Sequence, residues 1–276
     1  MTNATTLEKP YTTFQQIRRQ RVSDGAIVSV LTGCENTDLE EICFAGRTLM
    51  IVLPQLGDFD SLEYAWWLQR KWDFIENNNI AVRAIAIGNI ESGKKFCQYT
   101  GFPEQYLFID AVAQIHQQLG LYKGLNWGLP FFSEGQNAWL NLLLMCAGIG
   151  SKGTLKEVFR GYKGDRTSPS LFKNEEEIKI KPLPTIKGKF FNKAGKNYQR
   201  PFELATLRLQ NMVEVLNNWR TYVPDDRYIT QRGGTFLFDN QGNLIYEHRD
   251  QGILGFAKNM SNPLNFLEKK PNQMIK

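Results

Sequence analysis

The sequence predicts an α/β fold with a central mixed β-sheet flanked by helices and an α-rich, basic insertion. Apolar runs of strand length alternate with helical periodicity over roughly the first 120 residues. Two further apolar runs with a turn between them indicate a hairpin near the C-terminus. The chain has 276 residues, 42% of them apolar, which is enough for a full core. We therefore expect one domain over residues 1–276, with the insertion at about 122–201.

The apolar run at 48–53 is the predicted central strand. Its aliphatic and β-branched residues stop at Pro54, which cannot continue a ladder of strand hydrogen bonds. Asp60 and Glu63 have the three-residue spacing of a capping box, so a helix is expected to begin near Ser61. The strand thus leads to a helix N-terminus, where free N–H groups stabilise an anion or a thiolate.

The other elements follow from the same periodicities. A strand, a helix and a second apolar strand at this spacing predict a βαβ unit with parallel strands. The remaining predicted elements, in chain order, are a basic helix at 14–22, strands at 26–31 and 80–87, a helix at 92–100, a strand at 106–110, helices at 111–119 and 202–219, and a hairpin at 232–246.

The turn after the central strand resembles that of the AhpC/TSA-like antioxidant proteins, a peroxiredoxin-like branch of the thioredoxin superfamily. Peroxiredoxins carry P-x-x-x-T-x-x-C there, and the last Cys attacks peroxide. In this sequence Pro54 keeps the Pro, Asp58 stands at the Thr, and Ser61 stands at the nucleophilic Cys. Arg232 opens a hairpin similar to the family's R-G-x-F-x-x-D-x-x-G hairpin, in which the Arg supports the thiolate and the peroxide.

The resemblance implies a thioredoxin-like, peroxiredoxin-type fold with a degenerate site. It is continuous over residues 25–122, and the segment at 255–267 resembles the closing helix and tail of a branch from photosynthetic organisms. The first hypothesis is a non-catalytic binding, scaffold or assembly factor that has lost the peroxidatic Cys. The alternative is a divergent thiol-dependent peroxidase or antioxidant oxidoreductase that uses Cys97 or Cys43.

Cys97 is the stronger thiol candidate of the two. Lys94 and Lys95 are close to it on the predicted helix, and neighbouring cations lower the pKa of a thiol. A lone cysteine beside Phe96 is, however, more often a packing residue, so both interpretations stay open.

Other chemistries find less support in the sequence. A serine nucleophile at Ser61 needs a base within hydrogen-bond reach, and the two histidines, His116 and His248, have no spacing that argues for a triad. Helix capping is therefore the favoured role for Asp60 and Ser61. Two distant histidines and scattered cysteines also lack the spacing of metal ligands, so neither a metal nor a cofactor is expected.

The insertion is strongly basic. Residues 152–200 hold 13 Lys and Arg against 5 Asp and Glu, a local charge of +8 on a chain whose net charge is +5. This indicates an anionic partner, either another protein or an anionic membrane surface, but no specific nucleic acid. A solvated lysine-rich loop is an equally good interpretation. The candidate binding residues are Lys187, Lys189, Lys193 and Lys196.

Two aromatic residues on the first helix need cover. At about 100° per residue, Trp67 and Phe74 lie off the broad apolar arc of that helix. They are expected to dock on the insertion or, alternatively, on a partner protein, because aromatic residues are enriched at binding hot spots.

The four cysteines form no C-x-x-C motif, and the N-terminus lacks a basic and apolar secretory segment. The longest mostly apolar run, at 138–150, is shorter than the roughly 18 to 20 residues of a membrane-spanning helix. We therefore expect a cytoplasmic protein, with peripheral attachment to a membrane as a further option. The sequence leaves the oligomeric state open.

Overall fold

The computed structural model describes residues 10–33 and 46–269, and Cys43 lies outside them. In this part of the chain the strands are β1 Arg18–Arg21, β2 Ile27–Ser29, β3 Thr48–Gln55, β4 Ala81–Ile87, β5 Leu107–Ile109, β6 Glu177–Ile178, β7 Ile186–Lys187, β8 Gly234–Phe238 and β9 Leu244–Arg249. Seven of them form one sheet in the order β2-β1-β5-β4-β3-β8-β9, and β6 pairs with β7 separately.

Helices cover both faces of this sheet. The described α-helices are α1 Pro10–Gln16, α2 Phe59–Arg70, α3 Trp72–Asn77, α4 Ile90–Thr100, α5 Gln114–Gln118, α6 Glu134–Cys146, α7 Thr154–Lys163, α8 Glu203–Asn217 and α9 Trp219–Tyr222. Short 3-10 helices lie at Glu104–Tyr106, Gly188–Ala194, Asp226–Tyr228 and Asn265–Glu268. Within residues 10–33 and 46–269, no helix has the length and apolar character needed to cross a membrane.

The sheet is mixed, which confirms the predicted α/β class. β3, β4 and β5 are parallel neighbours, whereas β8 pairs antiparallel with β3 and with β9. β3 is buried along its whole length. Its alternate side chains, such as Leu49 and Met50, belong to apolar clusters on opposite faces of the sheet. Burial on both faces explains why this strand is a continuous apolar run rather than an alternating one.

Three local predictions are wrong. Residues 14–22 do not form one basic helix, because Arg18–Arg21 is a strand held between β2 and β5. The central strand does not stop before Pro54; it continues to Gln55 through an irregularity in its pairing with β4. The segment at 255–267 contains no closing α-helix, and only the 3-10 helix Asn265–Glu268 forms there.

The predicted insertion packs on the main core. It contains α6, α7 and the small β6–β7 ladder. Its Leu171, Phe172 and Phe191 are buried in the same apolar cluster as β3 and α2. Its lysines face solvent, including Lys187, Lys189, Lys193 and Lys196, whereas Arg200 is buried.

Candidate functional site

The turn between β3 and α2 brings the backbone very close to the end of α9. A Cβ added to Gly57 would lie 2.4 Å from Cγ2 of Val223, so this position requires glycine. Asp58 follows and caps α2, because its Oδ1 accepts a hydrogen bond of 2.9 Å from the backbone N–H of Asp60. The cap is therefore Asp58, and the prediction that Asp60 caps a helix beginning near Ser61 is wrong.

Arg232 lies fully buried opposite this helix N-terminus. Its guanidinium donates to Oδ2 of Asp58, to Oδ2 of Asp60 at 3.4 Å, and to the carbonyl oxygens of Thr230 and Ile229 at 3.1 and 3.4 Å. Four of the five N–H groups of the guanidinium are thus engaged. Burial lowers the pKa of Arg232, but the two carboxylates outweigh burial and raise it, so the side chain stays a cation.

Asp60 is a buried carboxyl rather than a surface cap. Both of its oxygens accept from the backbone N–H of Leu254 at 2.8 Å. Burial, followed by repulsion from Asp58, raises the pKa of Asp60 well above its usual range, and Arg232 only partly opposes this. Asp58 is therefore the main counter-ion of Arg232, while Asp60 ties the start of α2 to the C-terminal segment.

A third carboxyl completes the cluster. Asp250 is 2% exposed, and its Oδ2 accepts from the backbone N–H of Gly233 at 3.1 Å. Burial raises the pKa of Asp250 to about 7. Nε2 of His248 lies 3.6 Å from Oδ1 of Asp250. It donates a shorter hydrogen bond, of 2.7 Å, to the carbonyl of Gly255. Arg232 thus pairs directly with Asp58 and Asp60, and its charge partly opposes the effect of burial on the pKa of Asp250.

A comparison with known protein families shows to which family the chain is related. A family model described as AhpC/TSA antioxidant enzyme matches residues 67–252, about two thirds of the chain. The chain belongs to the AhpC/TSA antioxidant enzyme family. Together with the seven-stranded mixed sheet, this membership identifies the fold as thioredoxin-like, as predicted. No curated protein matches the chain. The family match includes Arg232 but begins after the turn that carries Asp58 and Ser61.

The structure brings the predicted site residues of this family together. A Cβ added to Gly233 would lie 3.0 Å from Cδ of Pro54, so the turn and the hairpin are in contact. Asp58 binds Arg232 directly. Ser61 is fully buried, and its Oγ donates to the carbonyl of Gln55 at 3.1 Å. The hydroxyl proton of Ser61 is thus committed to a carbonyl rather than to a base.

The histidines do not supply that base. His116 is buried, with its Nε2 2.9 Å from the carbonyl of Leu53, and burial lowers its pKa to about 4. His248 is engaged with Gly255, as described above. Over residues 10–33 and 46–269, no group of three or more His, Cys, Asp and Glu side chains is arranged to hold a metal ion.

The two described cysteines have different positions. Cys97 is buried in the main core, and burial, followed by Glu104, raises its pKa to about 12 despite the lysines nearby in sequence. Cys146, at the exposed end of α6, lies closer to the turn. Surrounding protein atoms still desolvate its thiol in part, and this desolvation, followed by the charge of Asp58, raises the pKa of that thiol. Neither group is an activated thiolate.

Sequence reasoning missed a small apolar pocket at this turn. Its lining includes Cys146, Gly57, Asp58, Gln55 and Trp219. Cys146 reaches it from the end of a helix in the insertion, about 90 residues along the chain from the turn. The insertion was predicted to be α-rich, but no sequence signal indicated that the end of one of its helices would reach this turn.

The aromatic pair on the first helix turns out to be covered. Trp67 is 5% exposed within the main core, and Phe74 is half-buried against it. The prediction placed both residues on one continuous helix. That helix is interrupted at Lys71, so Trp67 belongs to α2 and Phe74 to α3. The interior of the chain therefore supplies the cover for Trp67.

Proposed function

We propose that this chain is a peroxiredoxin-like protein that has lost peroxide chemistry at the family turn and serves as a non-catalytic binding, scaffold or assembly factor. The observation that carries the proposal is the engagement of Arg232 by Asp58 and Asp60. An arginine that supports a thiolate and a peroxide has to offer N–H groups to them. Here carboxylates of the chain itself occupy those groups.

The residue at the nucleophile position argues in the same direction. A serine hydroxyl stays protonated at neutral pH, and Ser61 donates its proton to the carbonyl of Gln55 with no base beside it. The alternative, a thiol enzyme using Cys97, is disfavoured because burial raises the pKa of that thiol to about 12. A thiol enzyme using Cys43 is left for experiment, since Cys43 lies outside the described residues.

Purified protein is expected to consume hydrogen peroxide no faster than a variant with all four cysteines replaced by serine. The physical reason is the lack of a thiolate beside a free arginine at the turn. The measurement is peroxide consumption with thioredoxin or glutathione recycling, together with a Cys97→Ser variant. Cysteine-dependent turnover with either reductant would contradict the proposal. If the Cys97→Ser variant lost that turnover, the activity would be assigned to the Cys97 thiol.

A reverse substitution serves as the control for this assay. Ser61→Cys combined with Asp58→Thr places a thiol at the helix N-terminus and removes a carboxylate that would raise its pKa. The same change releases Arg232 from its main counter-ion. We expect the pKa of the new thiol, measured from the ultraviolet absorbance of the thiolate, to lie below that of free cysteine. A pKa at or above that of free cysteine would mean that this turn does not correspond to the peroxiredoxin turn.

For the partner, we propose another protein or an anionic membrane surface that meets the basic insertion. The exposure of its lysines supports this proposal. Of the four candidates, Lys187 pairs with Glu175 at 3.2 Å and Lys193 lies 5.2 Å over the ring of Phe190. We also propose a cytoplasmic location, and the similarity of the tail at 255–267 supports the branch from photosynthetic organisms.

Reversal of the insertion lysines to glutamate is expected to weaken association with an anionic surface and to leave the urea midpoint nearly unchanged, because exposed charges contribute little to folding. The pair Lys189→Glu and Lys193→Glu is compared with Lys94→Glu and Lys269→Glu, which change the net charge equally outside the insertion. Binding to anionic vesicles is measured by sedimentation at low and physiological salt, and should fall steeply with salt. Equal binding by the two pairs would show that Lys189 and Lys193 only solubilise the chain.

A further inference from the structure

The helix α7 turns its large apolar side chains to solvent and buries small or polar residues instead. The residues it buries are Thr154, Glu157 and Gly161. Its large apolar side chains face solvent instead, with Leu155 47%, Phe159 56% and Tyr162 52% exposed. A surface helix normally buries its apolar stripe. These three residues follow one another at steps of four and three, so they form one exposed stripe along the helix.

The reversed orientation is fixed by specific contacts of the buried face. A Cβ added to Gly161 would lie 3.4 Å from the backbone N of Ala205, so α7 lies close against the start of α8. Oε2 of Glu157 lies 3.8 Å from Nη2 of Arg208 on α8, and the carbonyl of Glu157 accepts from Nη1 of Arg208 at 3.0 Å. These polar contacts would be lost if the helix rolled its stripe inward. The exposed stripe is therefore a built feature of the fold.

Phe202 extends the stripe from a strained position. Its backbone φ is +67°, a conformation that costs a bulky residue energy, and its side chain is 59% exposed. The ring packs edge-to-face on Tyr162 at 6.0 Å, and its backbone N–H donates to the carbonyl of Gly161 at 3.1 Å. Behind these two rings opens an apolar cavity of about 410 Å³, lined also by Leu209 and Met212. The apolar surface thus continues inward.

Lysines border the same stripe. Lys152, Lys156 and Lys163 are exposed. At about 100° per residue, Lys156 and Lys163 lie directly beside Leu155 and Phe159. No ion pair joins any of the three lysines to a carboxylate in the part of the chain that the structure describes. We call the surface formed by Leu155, Phe159, Tyr162 and Phe202 with these three lysines the α7 face.

We propose that the α7 face rests on an anionic membrane surface. Aromatic and aliphatic side chains flanked by lysines are the composition that places a helix in the lipid headgroup region, where the apolar groups enter and the ammonium groups meet lipid phosphates. These lysines, which pair with no carboxylate among the described residues, supply the charge complementarity for anionic lipid. This proposal rests on the binding role proposed above and identifies the partner as a lipid surface. It does not depend on whether the chain reduces peroxide.

The test uses the full chain and vesicles of phosphatidylcholine, with or without one third phosphatidylglycerol. Each lysine near an anionic surface strengthens binding roughly five-fold, so three should favour the anionic vesicles by roughly 100-fold at low salt. Lys156→Glu with Lys163→Glu is expected to weaken this binding at least about 25-fold. Phe159→Ser is expected to weaken it roughly ten-fold, because an inserted ring is lost.

The matched controls are Lys94→Glu together with Lys269→Glu for the charge change, and Ile27→Ser for the loss of an exposed apolar side chain on the edge strand β2. Circular dichroism and urea midpoints confirm that all variants fold. Equal binding of wild-type protein to both vesicle types, or retention of binding by the α7 variants, would overturn the proposal. A protein that bound neither vesicle type would also overturn it. In that case, self-association or capture of a protein that Phe159→Ser abolished would show what the α7 face binds instead. Peroxide turnover in a protein that still binds these vesicles would overturn only the non-catalytic role.

Discussion

Replacement of Arg232 by methionine is expected to lower the free energy of unfolding by about 3–5 kcal/mol, the usual effect of removing one partner from a buried ion pair. The methionine retains most of the apolar stem, but Asp58 and Asp60 lose their shared cation. The carbonyls of Ile229 and Thr230 lose a donor as well. Urea denaturation at pH 7.5, monitored by tryptophan fluorescence, measures the change.

The loss should depend on pH in a defined direction. Burial already raises the pKa of Asp60, and Arg232 is the group that lowers it, so the variant raises this pKa further. A carboxyl whose pKa is higher in the folded state binds a proton that the unfolded chain releases, so stability falls as pH rises through the folded pKa. The deficit of the variant relative to wild type should therefore be smaller at pH 5 than at pH 8.

Two controls separate buried charge from packing. Arg220→Met removes an exposed arginine that pairs with Asp226, and it should leave the urea midpoint nearly unchanged. Addition of Asp58→Asn and Asp60→Asn to Arg232→Met removes the uncompensated charges and keeps acceptors for the backbone, so much of the stability should return. If Arg232→Met alone had wild-type stability at pH 7.5, the guanidinium would not be the counter-ion of a buried site.

The alternation of strands and helices could be predicted because burial dictates it residue by residue. The run that became β3 is apolar throughout since both of its faces are covered. β1 gave no such signal. Its sequence Arg18–Arg21 is polar and alternates between exposed and half-buried, and it is a strand because β2 and β5 provide partners on both edges. Partners distant in sequence leave no periodicity to detect.

The site was predicted only in part, because some of its contacts also join residues that are distant in sequence. Asp58 and Arg232 were identified from the turn and the hairpin, and they do meet. The spacing of Asp60 and Glu63 suggested a capping box, yet Glu63 is fully buried and pairs with Arg208 at 2.7 Å. A carboxylate three residues into a helix has the same local sequence whether it caps the helix or binds a cation 145 residues away. Only the packed fold decides between these roles.

Substitution of Trp67 by alanine is expected to destabilise the isolated protein by about 3–5 kcal/mol, the range for large aromatic residues removed from cores. Trp67 is 5% exposed, and its ring packs edge-to-face on Trp66 at 5.2 Å. Trp66 in turn faces Phe172 of the insertion at 6.3 Å, so the variant opens a cavity where α2 meets the insertion. Urea denaturation monitored by circular dichroism measures the loss.

Trp127→Ala is the matched control, because that side chain is 55% exposed and its removal should change stability by less than about 1 kcal/mol. Trp67→Phe gives a second comparison. The indole Nε1 of Trp67 is buried without a hydrogen-bond partner among the described residues, so phenylalanine removes an unsatisfied donor while keeping most of the ring. Its loss should be well below that of alanine. If Trp67→Ala left stability unchanged but abolished capture of a partner protein, the indole would belong to an interface rather than to the core, and the packing of α2 against the insertion would have to be wrong.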